Sequence, residues 1–226
     1  MNWLARIEID AEAVRREGAI DNYSWHKLLW ECFPGRPESN RDFLTRIDQL
    51  ERAFRLWIMS REKPVCPTWC RSNDFSVKKI ADSFLSHDYY AFDLKANPIK
   101  AVVQRDEKGQ ALMGNNGKRM RGKRIPLVKQ DELKSWLKRK ADISGFRVLE
   151  EKPLEISPMI QNHFRKPDKN KSCVHTAYHA GVQFRGLLEV IDKEKFAKAY
   201  SAGIGSAKSF GFGLLLLAPV KIETER

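Results

Sequence analysis

Apolar and polar positions alternate along several short segments of this chain, and a period of two residues predicts β-strands. Residues 3–9, WLARIEI, place Ala5, Ile7 and Ile9 on one side. Other segments repeat their apolar positions every three to four residues, which predicts amphipathic helices. In the first 97 residues the strands predicted in this way are 3–9, 53–59, 65–69 and 89–96, and the helices are 22–33 and 75–85.

The same order recurs, less regularly, in the rest of the chain. The strands predicted there are 101–106, 146–156, 174–191 and 212–220, and the helices are 131–146 and 192–202. Each half then reads β-α-β-β-α-β, which is the order of the ferredoxin-like, RNA-recognition-type fold. We therefore predict an α+β protein of two tandem ferredoxin-like domains, residues 1–97 and 98–226.

The charge of the chain indicates the class of its partner. Lysine and arginine total 41 against 29 acidic residues, a formal net charge of +12 over 226 residues. Such an excess favours a polyanion, because basic side chains that neutralise phosphates release the counterions condensed on nucleic acid. Charge alone also fits a basic protein without such a partner, so the case for nucleic acid depends on particular segments.

Membrane and metal partners are not expected. The longest apolar run, LLLLAPV, has the length of a strand and falls short of the ~18 residues of a membrane span. The N-terminus lacks a signal-peptide core, so we expect a cytoplasmic protein with reduced cysteines. Cys66 and Cys70 have nearly zinc-like spacing without a second ligand pair, and His175 and His179 fall in a predicted strand. We therefore expect no metal and no cofactor.

A dense basic segment lies between the two halves. Residues 114–129, GNNGKRMRGKRIPLVK, hold no acidic residue, and three glycines predict a hairpin or flexible loop. A solvated charged loop is one interpretation. Closely spaced cations repel one another unless an anion neutralises them, so we favour contact with phosphates. The cations predicted to make this contact are Lys118, Arg119, Arg121, Lys123 and Arg124.

The segment GIGSAKSFGFG at 203–213 combines four glycines with two phenylalanines directly before an apolar strand. It is not a dinucleotide-binding loop, because Lys208 stands where that motif needs its third glycine. The order of elements is also reversed, since a predicted helix precedes this loop and a predicted strand follows it. The glycines therefore serve another purpose.

The histidine best placed for chemistry is His26. It follows Tyr23 by three residues in NYSWHKLLW, so the two side chains share one face of the predicted helix. An imidazole that titrates near neutral pH can take a proton from a ribose 2′-OH or give one to a 5′ leaving oxygen. Tyrosine and histidine on one helix face are also common in ordinary packing, and the pair alone leaves both interpretations open.

Together these features resemble the Cas-six superfamily of CRISPR RNA-processing endoribonucleases, and within it the type I-E branch, the processing subunit of Cascade. The pattern Gly-x-Gly, five residues, Gly-x-Gly at 203–213 matches the C-terminal glycine-rich loop of that superfamily. The supporting segments are Tyr23-x-x-His26, LKANP at 94–98, RGKRIPLV at 121–128 and GVQFRGLLEV at 181–190.

The resemblance implies metal-independent cleavage of precursor CRISPR RNA at the 3′ base of the repeat hairpin by 2′-OH attack. It implies 5′-hydroxyl and 2′,3′-cyclic or 3′-phosphate products, and retention of the product for the Cascade complex. By matching position, His26 takes the general acid/base role and Tyr23 a supporting role, while Lys27 and Lys208 are candidates for the electropositive third member. The expected partners are RNA and other Cascade subunits, with the free protein monomeric. The alternative is a non-catalytic RNA-binding or structural subunit of the same fold.

A physical reason for the glycines accompanies this resemblance. Glycine lacks the Cβ that keeps an RNA phosphate away from the backbone, so successive amide groups can face the anion. Phe210 and Phe212 are expected to pack inward rather than stack on bases. The residues predicted to contact RNA in this loop are Gly203, Gly205, Ser206, Lys208, Ser209, Gly211 and Gly213.

Overall fold

The computed structural model describes residues 2–19, 22–35, 42–114, 116–120, 122–167 and 174–222, and of these it describes only the backbone at 22, 23, 26, 161–167 and 174–179. The N-terminal unit contains β1 (Asn2–Asp10), α1 (Ala11–Arg16), α2 (Asn22–Trp30), β2 (Leu44–Gln49), β3 (Ala53–Ser60) and β4 (Phe75–Ile80). Its antiparallel sheet has the order β2-β3-β1-β4. A 3-10 turn, Ser72–Asp74, stands between β3 and β4 in place of the second ferredoxin-type helix.

The C-terminal unit is larger and has both helices. Its elements are β5 (Tyr89–Ala96), β6 (Ile99–Val102), β7 (Lys123–Pro126), α3 (Gln130–Ile143), β8 (Phe146–Val148), β9 (Glu155–Ile156), β10 (Ile160–Pro167), β11 (Val174–Val190), α4 (Lys193–Ala202) and β12 (Leu215–Pro219). The main sheet runs β10-β11-β5-β12, with β8 and β9 also paired to β11. The antiparallel order β8-β11-β5-β12 repeats that of the first unit. The predicted fold class, two tandem ferredoxin-like units, is confirmed.

Local sequence explains where the C-terminal helices begin and end. Asp192 caps α4, because its side chain accepts a hydrogen bond from the amide of Lys195. Gly145 follows α3 with a φ of +76°, where a Cβ would stand 2.5 Å from the Asp192 carbonyl oxygen. Both helices pack on alternate residues of β5, which are buried, while the residues between them face the opposite side.

The helix predicted at 75–85 is wrong. The segment forms β4 and then a 3-10 turn, Asp82–Leu85. β4 pairs along the free edge of β1, where Phe75 lies opposite Ile7. This pairing satisfies backbone groups at a sheet edge that would otherwise stay open, and tertiary pairing of that kind overrides a short segment's weak helical period.

The predicted boundary at residue 97 does not match the strand pairing. β5 pairs with β11 and β12 of the C-terminal sheet, although the sequence pattern assigned 89–96 to the N-terminal unit. Because β4 is the fourth strand of the first sheet and β5 belongs to the second, the chain passes from one sheet to the other at 81–88. The segment predicted as the first C-terminal strand, 101–106, instead overlaps β6, which lies outside the main sheet.

Two further strand predictions need correction. The segment 65–69 is irregular and ends in a turn at 68–69 rather than forming a strand, and the second strand of the first unit is β2. The hydrophobic pattern does not predict β2, because LTRIDQ places Arg46 and Asp48 on one side of the strand. The strand predicted at 146–156 is divided into the short strands β8 and β9.

The helices of each unit cover one face of its sheet, and the other two faces meet. In the first unit, Ile7, Leu56 and Ile58 pack against Trp25 and Leu29 of α2. The opposite faces of β2 and β3 look across a cleft of about 680 Å³ at β5 and β11. This arrangement places every candidate for chemistry near the junction of the units or on the elements that border it.

Candidate active site and nucleic-acid interface

Helix α2 lies against the glycine-rich loop, residues 203–213. Cα atoms of α2 come within 8 Å of Cα atoms in the 3-10 turn Lys208–Phe210 of that loop. Trp25 of α2 lines the same cleft as Phe210 and Phe212, and Phe212 is buried, as its predicted inward packing requires. The helix and the loop that the sequence singled out are therefore neighbours in space.

The residues predicted to carry the chemistry, His26 and Tyr23, belong to this helix. Their side chains lie outside the described residues, so only their position on α2 is given. Trp25 and Leu29 are buried and attach α2 to its sheet, while Lys27 is exposed. The backbone that carries the predicted pair is thus anchored beside the loop.

The glycines of the loop have a packing role that the phosphate interpretation did not include. All four have φ between +76° and +90°, a left-handed conformation in which a Cβ is strained. A Cβ at Gly213 would lie 2.7 Å from the Ile204 carbonyl oxygen, and one at Gly203 would lie 2.9 Å from Leu44 Cδ1. Glycine is therefore required at these two positions by the fold itself.

The middle of the loop offers free backbone donors. Within the described part of the chain, the amide groups of residues 205–209 donate to no acceptor. The flanking amides are committed, since Ile204 donates to Gly213 and Gly213 to Lys95, each at 2.8 Å. Ala207 is left-handed, with φ 58°, a conformation that directs neighbouring amides to one side. The loop thus has the backbone features of an anion-binding turn.

The polar side chains of the loop differ in availability. The Ser206 hydroxyl donates to the Asn97 carbonyl at 3.1 Å, whereas Ser209 is exposed. Burial, together with the charge of Lys140 in α3, lowers the pKa of Lys208. Neither lysine forms an ion pair with a described carboxylate. Lys140 was not singled out from the sequence, where only its place in the last helical turn marks it.

The basic segment forms a projecting ribbon, which we call the basic arm (residues 99–126). β6 pairs with β7, and a bridge between Met113 and Arg119 continues the hairpin predicted for this segment. The predicted contacts Lys118, Arg119, Lys123 and Arg124 are exposed, and none is paired with a carboxylate of the described chain. Arg121 lies outside the described residues. These four cations of the arm therefore have no compensating carboxylate among the described residues, although Lys100 at the base of the arm is paired with Glu132.

A cluster of charged side chains joins the two sheets across the cleft, and we call it the junction cluster. Arg46 of β2 donates from Nε to both oxygens of Asp48 at 2.9 Å and from Nη1 to Oδ1 of Asp93 at 2.7 Å. Asp93 of β5 also accepts from Gln183 at 2.9 Å and from Arg185 at 3.1 Å, both on β11. Burial alone would raise the pKa of Asp93, but the hydrogen bond and charge of Arg46 lower it below its ordinary value.

Lys95 extends the junction cluster toward the loop. Its Nζ donates to the Ile47 carbonyl at 2.5 Å and lies 3.8 Å from Asp48 Oδ1, and burial lowers its pKa. Sequence analysis missed all of these residues. The sequence offered one indication, because Arg46 and Asp48 lie on the same face if their segment is a strand. That indication could not be used, since β2 itself was not predicted.

Other kinds of site find little support in the described residues. Among them, no group of three or more histidine, cysteine, aspartate or glutamate side chains could hold a metal ion. Cys32, Cys66 and Cys70 are free thiols, and burial raises the pKa of Cys32 to about 12, so it stays protonated at neutral pH. None of the described helices has the length and apolar character needed to cross a membrane.

Known proteins resemble this chain over nearly its whole length. The family model for CRISPR associated proteins matches residues 2–219. The CRISPR system Cascade subunit CasE of Escherichia coli K12 is 30% identical over 209 residues, covering 92% of this chain and 96% of CasE. The CRISPR-associated endoribonuclease Cse3 of Thermus thermophilus is 25% identical over 226 residues, covering 96% of this chain and 100% of Cse3.

Solved structures share the fold of both units. The crystal structure of Cas6e from Escherichia coli K-12 has a TM-score of 0.66 at 27% identity, covering 97% of this chain and 100% of Cas6e. A structure of the endoribonuclease Cse3 bound to a 19-nucleotide RNA has a TM-score of 0.71 at 25% identity, covering 96% and 100%. Thermus thermophilus Cse3 bound to an RNA that represents a pre-cleavage complex has a TM-score of 0.66 at 25% identity, covering 96% and 99%.

Proposed function

The chain belongs to the family of CRISPR associated proteins, and from that premise we propose that it is an endoribonuclease that cleaves precursor CRISPR RNA. Cleavage falls at the 3′ base of the repeat hairpin. One relative of nearly full coverage is named as a Cascade subunit and another as an endoribonuclease, which has been solved with RNA bound. The protein retains its product, associates with other Cascade subunits, and acts in the cytoplasm.

The proposed reaction is an attack by a ribose 2′-OH on the adjacent phosphorus. His26 takes the 2′-OH proton or protonates the 5′ leaving oxygen, and Tyr23, one turn earlier on α2, hydrogen-bonds the reacting groups. The P–O5′ bond breaks as the P–O2′ bond forms, which leaves a 2′,3′-cyclic phosphate and a 5′-hydroxyl. The proton that leaves the 2′-OH is balanced by one delivered to the 5′ oxygen, so no metal is required when His26 performs one of these transfers and solvent water or the Tyr23 hydroxyl performs the other.

Negative charge on the pentacoordinate phosphorus has to be stabilised. The free amides of 205–209 supply donors beside α2, and Lys208 supplies a cation without a carboxylate partner in the described chain. Burial and, after it, the like charge of Lys140 lower the pKa of Lys208, and a bound phosphate would relieve the repulsion between the two lysines. The same loop therefore serves both binding and charge stabilisation.

The basic arm binds the stem of the hairpin. Its exposed cations contact phosphates, which supplies affinity that is independent of sequence and sensitive to salt. An A-form major groove is deep and narrow, so backbone geometry and stem length contribute more to recognition than base edges do. The arm and the glycine-rich loop together hold the base of the hairpin at α2.

The single observation that carries the proposal is the contact between α2 and a loop whose central amides have no acceptor among the described residues. We expect His26→Ala to slow cleavage of a hairpin repeat RNA by about 10²- to 10⁴-fold, because general acid/base catalysis contributes that much. RNA affinity stays unchanged. The matched control is His87→Ala, since His87 is exposed and lies outside the cleft.

The measurement is single-turnover cleavage on a denaturing gel, with affinity measured separately by filter binding. Cleavage persists in EDTA if the reaction is metal-independent, and sensitivity to EDTA would reject that mechanism. A wild-type protein that binds the hairpin without cutting it would instead indicate the non-catalytic RNA-binding subunit. Equal losses in His26→Ala and His87→Ala would remove His26 from its assigned role.

A further inference from the structure

The junction cluster connects the two units beside the proposed site. From it we infer that Arg46 and Asp93 are positioning residues for RNA cleavage, which hold the first sheet where α2 stays against the glycine-rich loop. This inference rests on the proposed function and adds a role for residues that touch no substrate. It is built from the link between the sheets, the link from β2 to the loop, and the link from the loop to α2.

The link between the sheets is the bond from Arg46 to Asp93. The Arg46 side chain is 3% exposed, and its guanidinium uses one edge on Asp48 of its own strand and the Nη1 group on Asp93 of the other unit. Nη1 also contacts the Asp93 main-chain carbonyl at 3.2 Å. A planar guanidinium engaged at two sides fixes angles as well as distance, which a lysine ammonium cannot do.

Asp93 is itself held by its own sheet. Gln183 Nε2 lies 2.9 Å from each carboxylate oxygen, and Arg185 Nε lies 3.1 Å from Oδ2. The carboxylate therefore has a defined orientation before Arg46 reaches it. Because buried ion pairs often add little net stability compared with apolar packing, a role in orienting two bodies is the better explanation for this one.

The second link runs from β2 to the glycine-rich loop on both sides of Arg46. A Cβ at Gly203 would stand 2.9 Å from Leu44 Cδ1, before Arg46, and one at Gly211 would stand 4.0 Å from the Ile47 amide nitrogen, after it. The loop therefore packs along the backbone that Arg46 holds. Any movement of β2 relative to the second sheet therefore displaces the glycine-rich loop or separates β2 from it.

Lys95 reinforces this second link from the other unit. Its ammonium donates to the Ile47 carbonyl of β2 at 2.5 Å, and its own carbonyl accepts from the Gly213 amide at 2.8 Å. One residue of β5 thus touches both the strand and the end of the loop. Loop, β2 and β5 form a continuous assembly around Arg46.

The third link is the contact of α2 with the 3-10 turn Lys208–Phe210, which β2 also contacts. α2 belongs to the first unit and the turn to the second, so their separation depends on how the two units are oriented. In-line attack tolerates little error, and a displacement of about 1 Å can cost about 100-fold in rate. An ion pair that does not touch the reacting atoms can therefore govern the rate of cleavage.

Arg185 offers a matched control for Arg46. Both guanidiniums donate to Asp93, but Arg185 lies on β11 of the same sheet and is 50% exposed. Arg185→Met removes a cation from Asp93 without cutting a link between the sheets. Arg46→Met removes the link, and Arg46→Lys keeps the charge while it loses the two-sided geometry.

The experiment measures single-turnover cleavage of a hairpin repeat RNA at saturating enzyme, together with RNA affinity. We expect Arg46→Met to cleave at least about tenfold more slowly, with Arg46→Lys intermediate, Arg185→Met near wild type, and all affinities within about threefold. Hydrogen exchange of the Ile204 and Gly213 amides, which are hydrogen-bonded at the ends of the loop, should accelerate in both Arg46 variants and not in Arg185→Met. This split between rate and affinity separates positioning from a general loss of folded protein.

Equal cleavage by Arg46→Met and wild type overturns the inference, and so does an equal loss in Arg185→Met. If Arg46→Met does not fold, Arg46→Lys and Asp93→Asn decide, since slowed cleavage in both supports positioning and wild-type rates in both overturn it. If the wild-type protein itself does not cleave, the proposed function fails instead. Hydrogen exchange then still tests the link, because unchanged protection of the Ile204 and Gly213 amides in Arg46→Lys would contradict it.

Discussion

The basic arm and the junction cluster hold charged side chains in opposite circumstances. In the arm, Lys118 and Arg124 are exposed and have no carboxylate partner in the described chain. In the junction cluster, Arg46 is buried and paired with two carboxylates of different units. Exposed and uncompensated charge is available to a polyanion, whereas buried and compensated charge is committed to geometry.

The difference teaches that net charge alone does not locate function in this protein. The arm contributes to the +12 excess that points to nucleic acid. The junction cluster contributes to the same total, but its cations are each paired within the fold with one or more of the carboxylates Asp48, Asp93 and Glu155. The two regions should therefore respond differently to salt, to substitution and to pH.

Of the changes that test this contrast, removal of the arm's charge should have the largest effect, a loss of RNA affinity. Changing four arm cations to glutamine should lower RNA affinity roughly 10³-fold at low salt and reduce the slope of log K against log salt by about 3, since each phosphate contact contributes about 0.7 to 0.9. Thermal unfolding should not change. The arm residues are Lys118, Arg119, Lys123 and Arg124, and the control set of exposed cations on the N-terminal unit is Arg15, Arg52, Lys78 and Lys79.

Filter binding across a salt series measures both quantities for the two sets. The decrease in log K for the control set should be less than a third of the decrease for the arm set. Equal losses would mean that the arm acts only through net charge, and the contrast between the two regions would not hold.

A glycine in each region tests the contrast in packing. Gly213, beside the junction, and Gly117, in the arm, both have positive φ, but a Cβ meets the Ile204 carbonyl at 2.7 Å only at Gly213. Gly117 has no atom within 4 Å of that position. We expect Gly213→Ala to cost about 3 kcal/mol of unfolding free energy and Gly117→Ala about 1 kcal/mol, because strained backbone and overlap add. Urea unfolding measures both, and equal costs would show that the loop adapts.

The smallest expected effect is the pH dependence of the stability that the Asp93 carboxylate contributes. Its pKa in the folded protein is lowered below the ordinary value of 3.8, so its contribution to stability is fully present above about pH 5. That contribution is lost as pH falls through the folded pKa, because the unfolded chain takes up the proton first. The difference in unfolding free energy between wild type and Asp93→Asn should therefore shrink between about pH 5 and the acid limit. A difference that stays constant with pH would show that Asp93 is not held as a carboxylate by Arg46.

Much of the fold could be predicted because its signals are local. Alternation in β1 and β5, the Asp192 cap of α4 and the hairpin of the arm all depend on residues close together in the chain. The segment 75–85 could not be predicted in the same way, since its conformation is decided by pairing with β1, a strand at the distant start of the chain. The charged strand β2 was not predicted for a related reason, because Arg46 and Asp48 are compatible with a buried strand face only when a second sheet supplies their partners.

The features of the candidate site also divide into those visible in the sequence and those that depend on tertiary contacts. The motifs around His26, the arm and the loop were visible as residue types in order, and the structure places α2 against the loop. The hydrogen bond from Ser206 to Asn97 and the cation Lys140 were not visible, since both depend on helices and strands that meet only after folding. The close approach at Gly213 also depends on a contact made by the folded loop.

The sequence by itself determined individual elements such as β1, β3 and α3, the positive charge of the arm and the glycines of the loop, because periodicity, composition and turn chemistry act over a few residues. Tertiary structure alone decided which sheet receives β5 and how the two units are joined. The partners in that joint, Arg46 and Asp93, are 47 residues apart, and only the packed fold gives a buried charge the neighbour that it needs.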